Sequence, residues 1–262
     1  MDEQKKLKQE LLEILTEVAK VKKIKDFELI PNVNLNYGDG FVSHFYTGQV
    51  KNRENDETFE VAIKKCPANR SEIMGSLFNN EIIFYESIFP MMRDFQLKRN
   101  IVEVVDNVPG YICGSTEPNK AYVAMDNVKH LRYVLYDKTK FFNEEHLTSI
   151  FKLYGKFHAL SFALEKSEPV AAKDIQKGLF NTFSNIPDQV LHQLKEPFEI
   201  AVANLESEDR QNIFEKVSYV LDNMKEVYSK CCSYSGKYSC IIHGDCWSNN
   251  MLFKYNVSTF VM

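Results

Sequence analysis

HGDCWSNNMLF, residues 243–253, is the stretch of sequence from which the fold and the chemistry of this chain can be predicted. It sets a carboxylate, Asp245, and an amide, Asn250, five positions apart in a polar loop that leads into an apolar run. A loop that supports phosphoryl transfer needs such a pair, because the carboxylate orients and deprotonates a hydroxyl while the amide oxygen holds Mg²⁺. An ordinary polar turn before a strand remains the alternative for Asp245 and Asn250 taken alone, since Gly, Asp, Ser and Asn are common turn residues.

The composition describes a globular chain. Its 262 residues, 44% hydrophobic and 26% charged, suffice for one large domain or two lobes with a substantial core. A net charge of -4 gives no electrostatic reason to bind nucleic acid. We expect a cytoplasmic protein without a membrane span, because the charged N-terminus has no apolar region behind it and no apolar run approaches roughly 18 residues. The six cysteines are too few for a disulfide framework and are expected to be reduced thiols.

Hydrophobic periodicity predicts an α+β fold with a β-rich N-terminal lobe, residues 1–127, and a helical lobe, residues 128–262. Apolar residues at spacings of three and four predict helices at residues 3–24, 75–89 (closed by Pro90), 143–161 (capped by Asn143), 187–205 and 208–231. Short β-branched and aromatic runs predict three antiparallel strands within residues 27–65 and further strands at 101–105, 111–113 and 121–125.

Two charged residues in the first lobe are predicted to pair. Period-two alternation in the run FEVAIKK, residues 59–65, puts Ala62 and Lys64 on one strand face. A small residue beside a lysine leaves room for a nucleotide base and supplies a cation for its phosphates, although an exposed edge lysine is the alternative. Glu81 lies on the apolar face of the next helix, where an unpaired charge would cost several kcal/mol. Lys64 is its natural partner.

The loop at residues 243–253 resembles the HGDxWxxN signature of choline- and aminoglycoside-kinase-like phosphotransferases, and its surroundings resemble the ecdysteroid kinase-like family of that group. The resemblance extends from about residue 35 to residue 255. It includes KKCP at residues 64–67 and KFHALS at residues 156–161, together with Phe78, Glu81, Tyr85 and Pro90.

The resemblance implies a protein-kinase-like two-lobe fold and an ATP-dependent small-molecule O-kinase that uses Mg²⁺ and phosphorylates a hydroxyl of a steroid or another lipophilic alcohol. Asp245 would then be the catalytic base and Asn250 a metal ligand. The positions that would bind the nucleotide are Gly38, Gly40 and Ser43 in a phosphate-covering turn, Ala62, Lys64 and Glu81, and Met125 in the hinge that reads adenine. For the turn at residues 37–43, a plain hairpin is the alternative.

The sequence departs from the family after Asn250. Family members have a second metal-binding Asp in a DFQ-type motif, whereas residues 246–262 contain no Asp or Glu. The chain is therefore expected to be a truncated product with an incomplete helical lobe and impaired catalysis. A pseudokinase with a nucleotide-binding or regulatory role is accordingly the alternative function.

A zinc site is a second alternative, because cysteines and a histidine cluster near the end of the chain. Its candidate ligands are Cys231, Cys232, Cys240, His243 and Cys246. The kinase-like interpretation instead makes His243 a structural residue that braces the loop. His158, on an apolar helix face, is likewise predicted to be a hydrogen-bonded core histidine that contacts the loop.

Overall fold

The structure of the protein is a computed structural model that describes residues 2–34, 43–67, 72–117, 119–181, 188–207 and 211–255. The chain forms two compact units. The first comprises Met1–Leu179 and Cys240–Met262, and the second comprises Phe180–Ser239. The lobe boundary at residue 127 stays a prediction.

A five-stranded antiparallel sheet organises the first unit. Its strands are β1 (Phe27–Asn32), β2 (His44–Asn52), β3 (Thr58–Lys65), β4 (Tyr111–Ser115) and β5 (Tyr122–Asp126). They lie in the order β1-β2-β3-β5-β4, which makes β3 the central strand. The three strands predicted within residues 27–65 are confirmed, as are those near residues 111 and 121.

Helix α1 (Asp2–Val21) covers one face of this sheet. Its residues Leu11, Leu15 and Val18 are fully buried and pack in one cluster with the sheet. Each buried apolar side chain of this size contributes about 1.5–3 kcal/mol. The helix approaches β2 so closely that a Cβ at Gly48 would lie 2.9 Å from Leu15 Cδ1, and this close approach explains the glycine.

The opposite face of the sheet is covered by α2 (Glu72–Ile83). A π-helical turn, Phe84–Ile88, connects α2 directly to α3 (Phe89–Lys98), so the predicted helix end at Pro90 is wrong. Pro90 instead lies in the first turn of α3, just after the π-helical turn, where its ring nitrogen cannot donate the backbone hydrogen bond of a continuous helix. Residues 101–105 were predicted as a strand but form none.

Helix α4 (Glu144–Ser167) is the long helix predicted from residue 143, and Asn143 caps it as expected by accepting a hydrogen bond from His146 N at 3.0 Å. It packs against α3 in a third cluster around Leu160 and Leu164. Two elements that the sequence did not predict complete the first unit: α5 (Pro169–Gly178) and β6 (Val134–Leu135), which pairs with β7 (Leu252–Phe253).

The second unit is helical. It contains α6 (Asp188–Ser207), α7 (Gln211–Asp222) and α8 (Met224–Cys232). The single helix predicted over residues 208–231 is therefore two helices, which meet at Asn223. The predicted α+β class, with an antiparallel sheet towards the N-terminus and helices towards the C-terminus, is confirmed. No helix in the described ranges has both the length and the apolar character needed to cross a membrane.

Candidate functional site

Central strand β3 sorts its side chains onto the two sheet faces as predicted. Val61 and Ile63 are fully buried in the cluster beneath α1. Ala62 points to the other face and joins the cluster beneath α2. Lys64 follows Ala62 at the strand period and lies on that same face.

Lys64 and Glu81 form the predicted ion pair. Lys64 Nζ lies 2.6 Å from Glu81 Oε2, and the two side chains are only 29% and 23% exposed. The ammonium also lies 5.7 Å from the centre of the Phe78 ring, within the range of a cation–π interaction. The pairing is confirmed, and the ammonium is held at a fixed position beside the small side chain of Ala62.

Met125 lies beside Ala62, because the two residues are register partners in β3 and β5. Both are buried in the cluster that contains Phe78. The backbone beyond Met125 is already hydrogen-bonded within the chain. Asp126 N donates to Gly110 O at 2.8 Å, and Asn127 N donates to Glu60 O at 2.9 Å. These two amides are therefore engaged at the segment predicted to read adenine.

The polar loop brings Asp245 and Asn250 into direct contact. Asn250 Nδ2 donates to Asp245 Oδ2 at 2.8 Å and to Asp245 O at 3.2 Å. Both residues are exposed, and Ser248–Asn250 form a short 3₁₀ turn. Gly244 adopts φ 80°, a left-handed conformation that favours glycine. The loop thus presents a carboxylate and an amide together at the surface.

Helix α4 supports the loop through residues whose roles were not predicted. Ser161 Oγ accepts a hydrogen bond from Ile241 N at 2.8 Å, and the Tyr154 ring lies edge-on to His243 at 6.3 Å. Burial, together with a side-chain hydrogen bond with Cys246, raises the pKa of Tyr154. The helical period placed Tyr154 and Ser161 on one face of α4, which is the signal that could have identified them.

His158 differs from its predicted role. Its Nε2 atom is buried and has no hydrogen-bond partner among the described residues. The ring packs near Tyr154 and Phe157 instead. The loop is therefore braced by Tyr154 and Ser161, on either side of His158.

His243 links the loop electrostatically to the ion pair on β3. Desolvation of the ring lowers the pKa of His243 and the Lys64 charge lowers it further, while the carboxylates of Asp245 and Glu81 act in the opposite direction. The loop amide Asp245 N donates to His243 Nδ1 at 3.2 Å, so this nitrogen serves as an acceptor. His243 thus braces the loop backbone, as predicted, and the charges of Asp245, Lys64 and Glu81 all act on its pKa.

An aromatic cluster holds the strand that follows Asn250. His146 lies at its centre, with His146 Nε2 at 2.8 Å from the Tyr255 hydroxyl. Rings that pack together around it belong to Tyr136, Phe142, Phe253 and Tyr255. Because β7 carries Phe253, this cluster anchors the C-terminal side of the loop to the N-terminal end of α4.

The oxygen atoms of the loop fit a magnesium ion better than a softer metal. Mg²⁺ prefers hard oxygen ligands and usually takes one or two protein ligands, with water and phosphate completing the set. The Asn250 amide oxygen provides such a ligand. The zinc alternative is not supported, because the described residues hold no group of three or more His, Cys, Asp or Glu side chains that could bind a metal ion.

The predicted phosphate-covering turn is only partly described. Gly38 and Gly40 lie outside the described residues. Ser43 is buried directly before β2. Its predicted contact with phosphate stays a prediction, as do the nucleotide-binding roles of Ala62, Lys64, Glu81 and Met125. The segment at residues 256–262, where the family pattern was predicted to break off, also lies outside the described part.

Comparison with known proteins identifies one family. The sequence pattern that defines the ecdysteroid kinase-like family matches residues 37–261, which include the Lys64–Glu81 ion pair, the Asp245–Asn250 pair and most of each unit. Neither a curated protein nor a solved structure matches the chain significantly.

Proposed function

Because this chain belongs to the ecdysteroid kinase-like family, we propose that it transfers the γ-phosphate of ATP to the hydroxyl group of a small lipophilic alcohol such as a steroid. The observation that carries the proposal is the arrangement of two pairs in one unit: Lys64 with Glu81 beside the sheet, and Asp245 with Asn250 in the loop. A lysine that binds the phosphates and a carboxylate that orients and deprotonates the acceptor hydroxyl are two of the recurring parts of phosphoryl-transfer sites.

Each side chain has a distinct task in this proposal. Lys64 binds the α- and β-phosphates, and Glu81 holds its ammonium in place. Asp245 orients the acceptor hydroxyl and takes its proton as the oxygen forms a bond to the γ-phosphorus and the bond from that phosphorus to the bridging oxygen of ADP breaks. Asn250 would hold Mg²⁺ through its amide oxygen. The bound ion would neutralise charge on the phosphate oxygens.

A cytoplasmic location agrees with this proposal, because ATP is abundant there. Among the described residues, Cys113, Cys231, Cys232, Cys240 and Cys246 are free thiols, which agrees with a reducing compartment. The net charge of -4 gives no support for a nucleic-acid partner.

The contact between Asn250 and Asp245 favours a second candidate function. The carboxylate that would accept the proton and the amide that would hold the metal ion are bonded to each other at 2.8 Å. If this hydrogen bond persists when nucleotide is bound, the carboxylate oxygen and the amide stay engaged with each other, and the protein would bind nucleotide without transferring phosphate. The second candidate is therefore a catalytically impaired protein with a nucleotide-binding or regulatory role.

Asp245→Asn distinguishes the two functions. ATP affinity is measured by calorimetry with and without Mg²⁺, and transfer is measured with radiolabelled ATP and a panel of steroids and other lipophilic alcohols. For the kinase, the substitution should reduce transfer by about 10²-fold or more while ATP affinity stays within about twofold. Asp94→Asn, on the exposed face of α3, is the matched control and should change neither quantity.

The remaining outcomes are equally informative. ATP binding without transfer to any alcohol by the unsubstituted protein would support the second candidate. Loss of both binding and transfer in Asp245→Asn would assign the loop a structural role. An unsubstituted protein that binds no ATP would refute both functions.

A further inference from the structure

The helix that carries Glu81 changes its hydrogen-bonding pattern three residues later. In the π-helical turn Phe84–Ile88, Phe89 N donates to Phe84 O, five residues back instead of four. The extra residue shifts the following side chains by roughly 100° relative to a regular α-helix. Such turns are rare and are found frequently at functional sites, so the turn calls for a structural cause.

Strand β4 provides a contact that stabilises the turn. The Tyr85 ring stacks on the Tyr111 ring with 5.4 Å between the centroids and 12° between the planes. Tyr111 also donates a hydrogen bond from its hydroxyl to Glu86 Oε1 at 2.7 Å. Two successive residues of the π-helical turn are thus bound by one tyrosine of the sheet.

The sheet has space for this tyrosine because Gly114 has no side chain. A Cβ at Gly114 would lie 3.0 Å from the Tyr111 hydroxyl oxygen and 3.0 Å from Ile82 Cδ1. Ile82 is the residue after Glu81. The close packing of β4 against α2 therefore includes the immediate neighbours of the ion pair.

Tyr85 connects this packing to Glu81. Burial, and secondarily the charge of Glu81, raises the pKa of Tyr85, which places the phenol within electrostatic reach of that carboxylate. Tyr85 also packs against the cluster of Ala62, Phe78 and Met125. A change in the π-helical turn would accordingly move the end of α2 that carries Glu81.

We propose that Tyr111 is a positioning residue, which fixes the π-helical turn through Tyr85 and Glu86 and thereby holds Glu81 against Lys64. The effect on the ion pair follows from the contacts alone. The consequence for ATP binding rests on the proposed function.

The reactivity of the Lys64 amine tests the ion pair without nucleotide. Acetylation by acetic anhydride is followed by mass spectrometry, and a lysine released from its partner reacts faster. Tyr111→Phe keeps the stacked ring but loses the hydroxyl, and it should accelerate acetylation of Lys64 about threefold or more. Lys65, which pairs with Glu10 at 3.0 Å on the other sheet face, is the internal reference and should react at an unchanged rate.

Three further variants separate positioning from general stability. Glu86→Leu should match Tyr111→Phe, whereas Glu86→Gln retains an acceptor oxygen and should restore the original rate. Tyr122→Phe is the matched control on neighbouring strand β5, because its hydroxyl contacts Cys113 Sγ beneath α1. An unchanged Lys64 rate in Tyr111→Phe and Glu86→Leu, or an equal rise for Lys65, would overturn the inference.

ATP affinity provides the second measurement. Tyr111→Phe should weaken binding in the unsubstituted background but not in Glu81→Gln, because the effect passes through Glu81. Equal losses in both backgrounds would contradict positioning through Glu81. Faster Lys64 acetylation in a protein that binds no ATP would retain Tyr111 as a positioning residue and refute the proposed function instead.

Discussion

Replacing Glu81 by Gln should destabilise the protein moderately and weaken ATP binding strongly. The substitution keeps the size of the side chain and removes its charge. Lys64 then retains its ammonium on a side chain that is only 29% exposed, with the Phe78 ring and a neutral amide beside it in place of a carboxylate.

The magnitude follows from the partial burial of the pair. An exposed ion pair contributes about 0.2–1 kcal/mol, whereas breaking a fully buried one costs about 3–5 kcal/mol. With 29% and 23% of the two side chains exposed, we expect a loss of about 1–2 kcal/mol in the free energy of unfolding. Replacing both partners, in Lys64→Met with Glu81→Leu, should cost less than Glu81→Gln, because no charge remains buried.

The protein offers a matched control for this experiment. Glu10→Gln breaks the neighbouring pair, in which Lys65 Nζ lies 3.0 Å from Glu10 Oε2 on the other face of β3. The loss in the free energy of unfolding, measured by urea denaturation, should be similar for Glu10→Gln and Glu81→Gln. ATP affinity, measured by calorimetry, should fall only for Glu81→Gln.

A double-mutant cycle provides the decisive measurement. Glu81→Gln and Lys64→Ala should not add in their effects on ATP affinity, because each removes the same fixed cation. Additive losses would refute the reasoning, since they would mean that Glu81 does not hold Lys64 for the nucleotide. Equal losses of affinity in Glu10→Gln and Glu81→Gln would refute it as well.

Four further substitutions test the loop and the packing of the sheet. Gly244→Ala should destabilise the protein by about 1–3 kcal/mol in urea denaturation, because φ is 80° at this position. Gly110→Ala should lower the melting temperature slightly, since a Cβ there would displace the Asp126 carboxylate, which pairs with Lys22 at 3.6 Å. Leu15→Ala should cost about 2–5 kcal/mol in the same assay, because the side chain is fully buried beneath the sheet. Folding lowers the pKa of His243 from 6.5, so this side chain binds a proton more readily in the unfolded chain. The free energy of unfolding should therefore decrease as the pH falls below 6.5. His243→Gln should reduce this loss between pH 7 and about pH 5 in denaturation curves, and an unchanged pH dependence would contradict the assignment.

Local patterns determined much of the fold and of the site. Alternation in β3 predicted that Ala62 and Lys64 share one sheet face and that Val61 and Ile63 share the other, because successive strand residues point to opposite faces. The Asn143 cap was predictable because its hydrogen bond to His146 N lies within one turn. The pairing of Lys64 with Glu81 followed from a charge on an apolar helix face, which requires a partner.

Contacts between distant segments decided the rest. Residues 101–105 have the composition of a strand, but the buried side chain of Gln96 accepts from Val105 N at 2.7 Å and donates to Val105 O at 3.3 Å, so this backbone has a partner outside any sheet. The π-helical turn depends on Tyr111 of β4, and the loop depends on Tyr154 and Ser161 of α4. Sequence alone thus determined where the charges and apolar faces lie, because those depend on near neighbours along the chain. Only the tertiary structure decided which backbone groups and aromatic rings contact each other, because such contacts form between elements that lie tens of residues apart in the sequence.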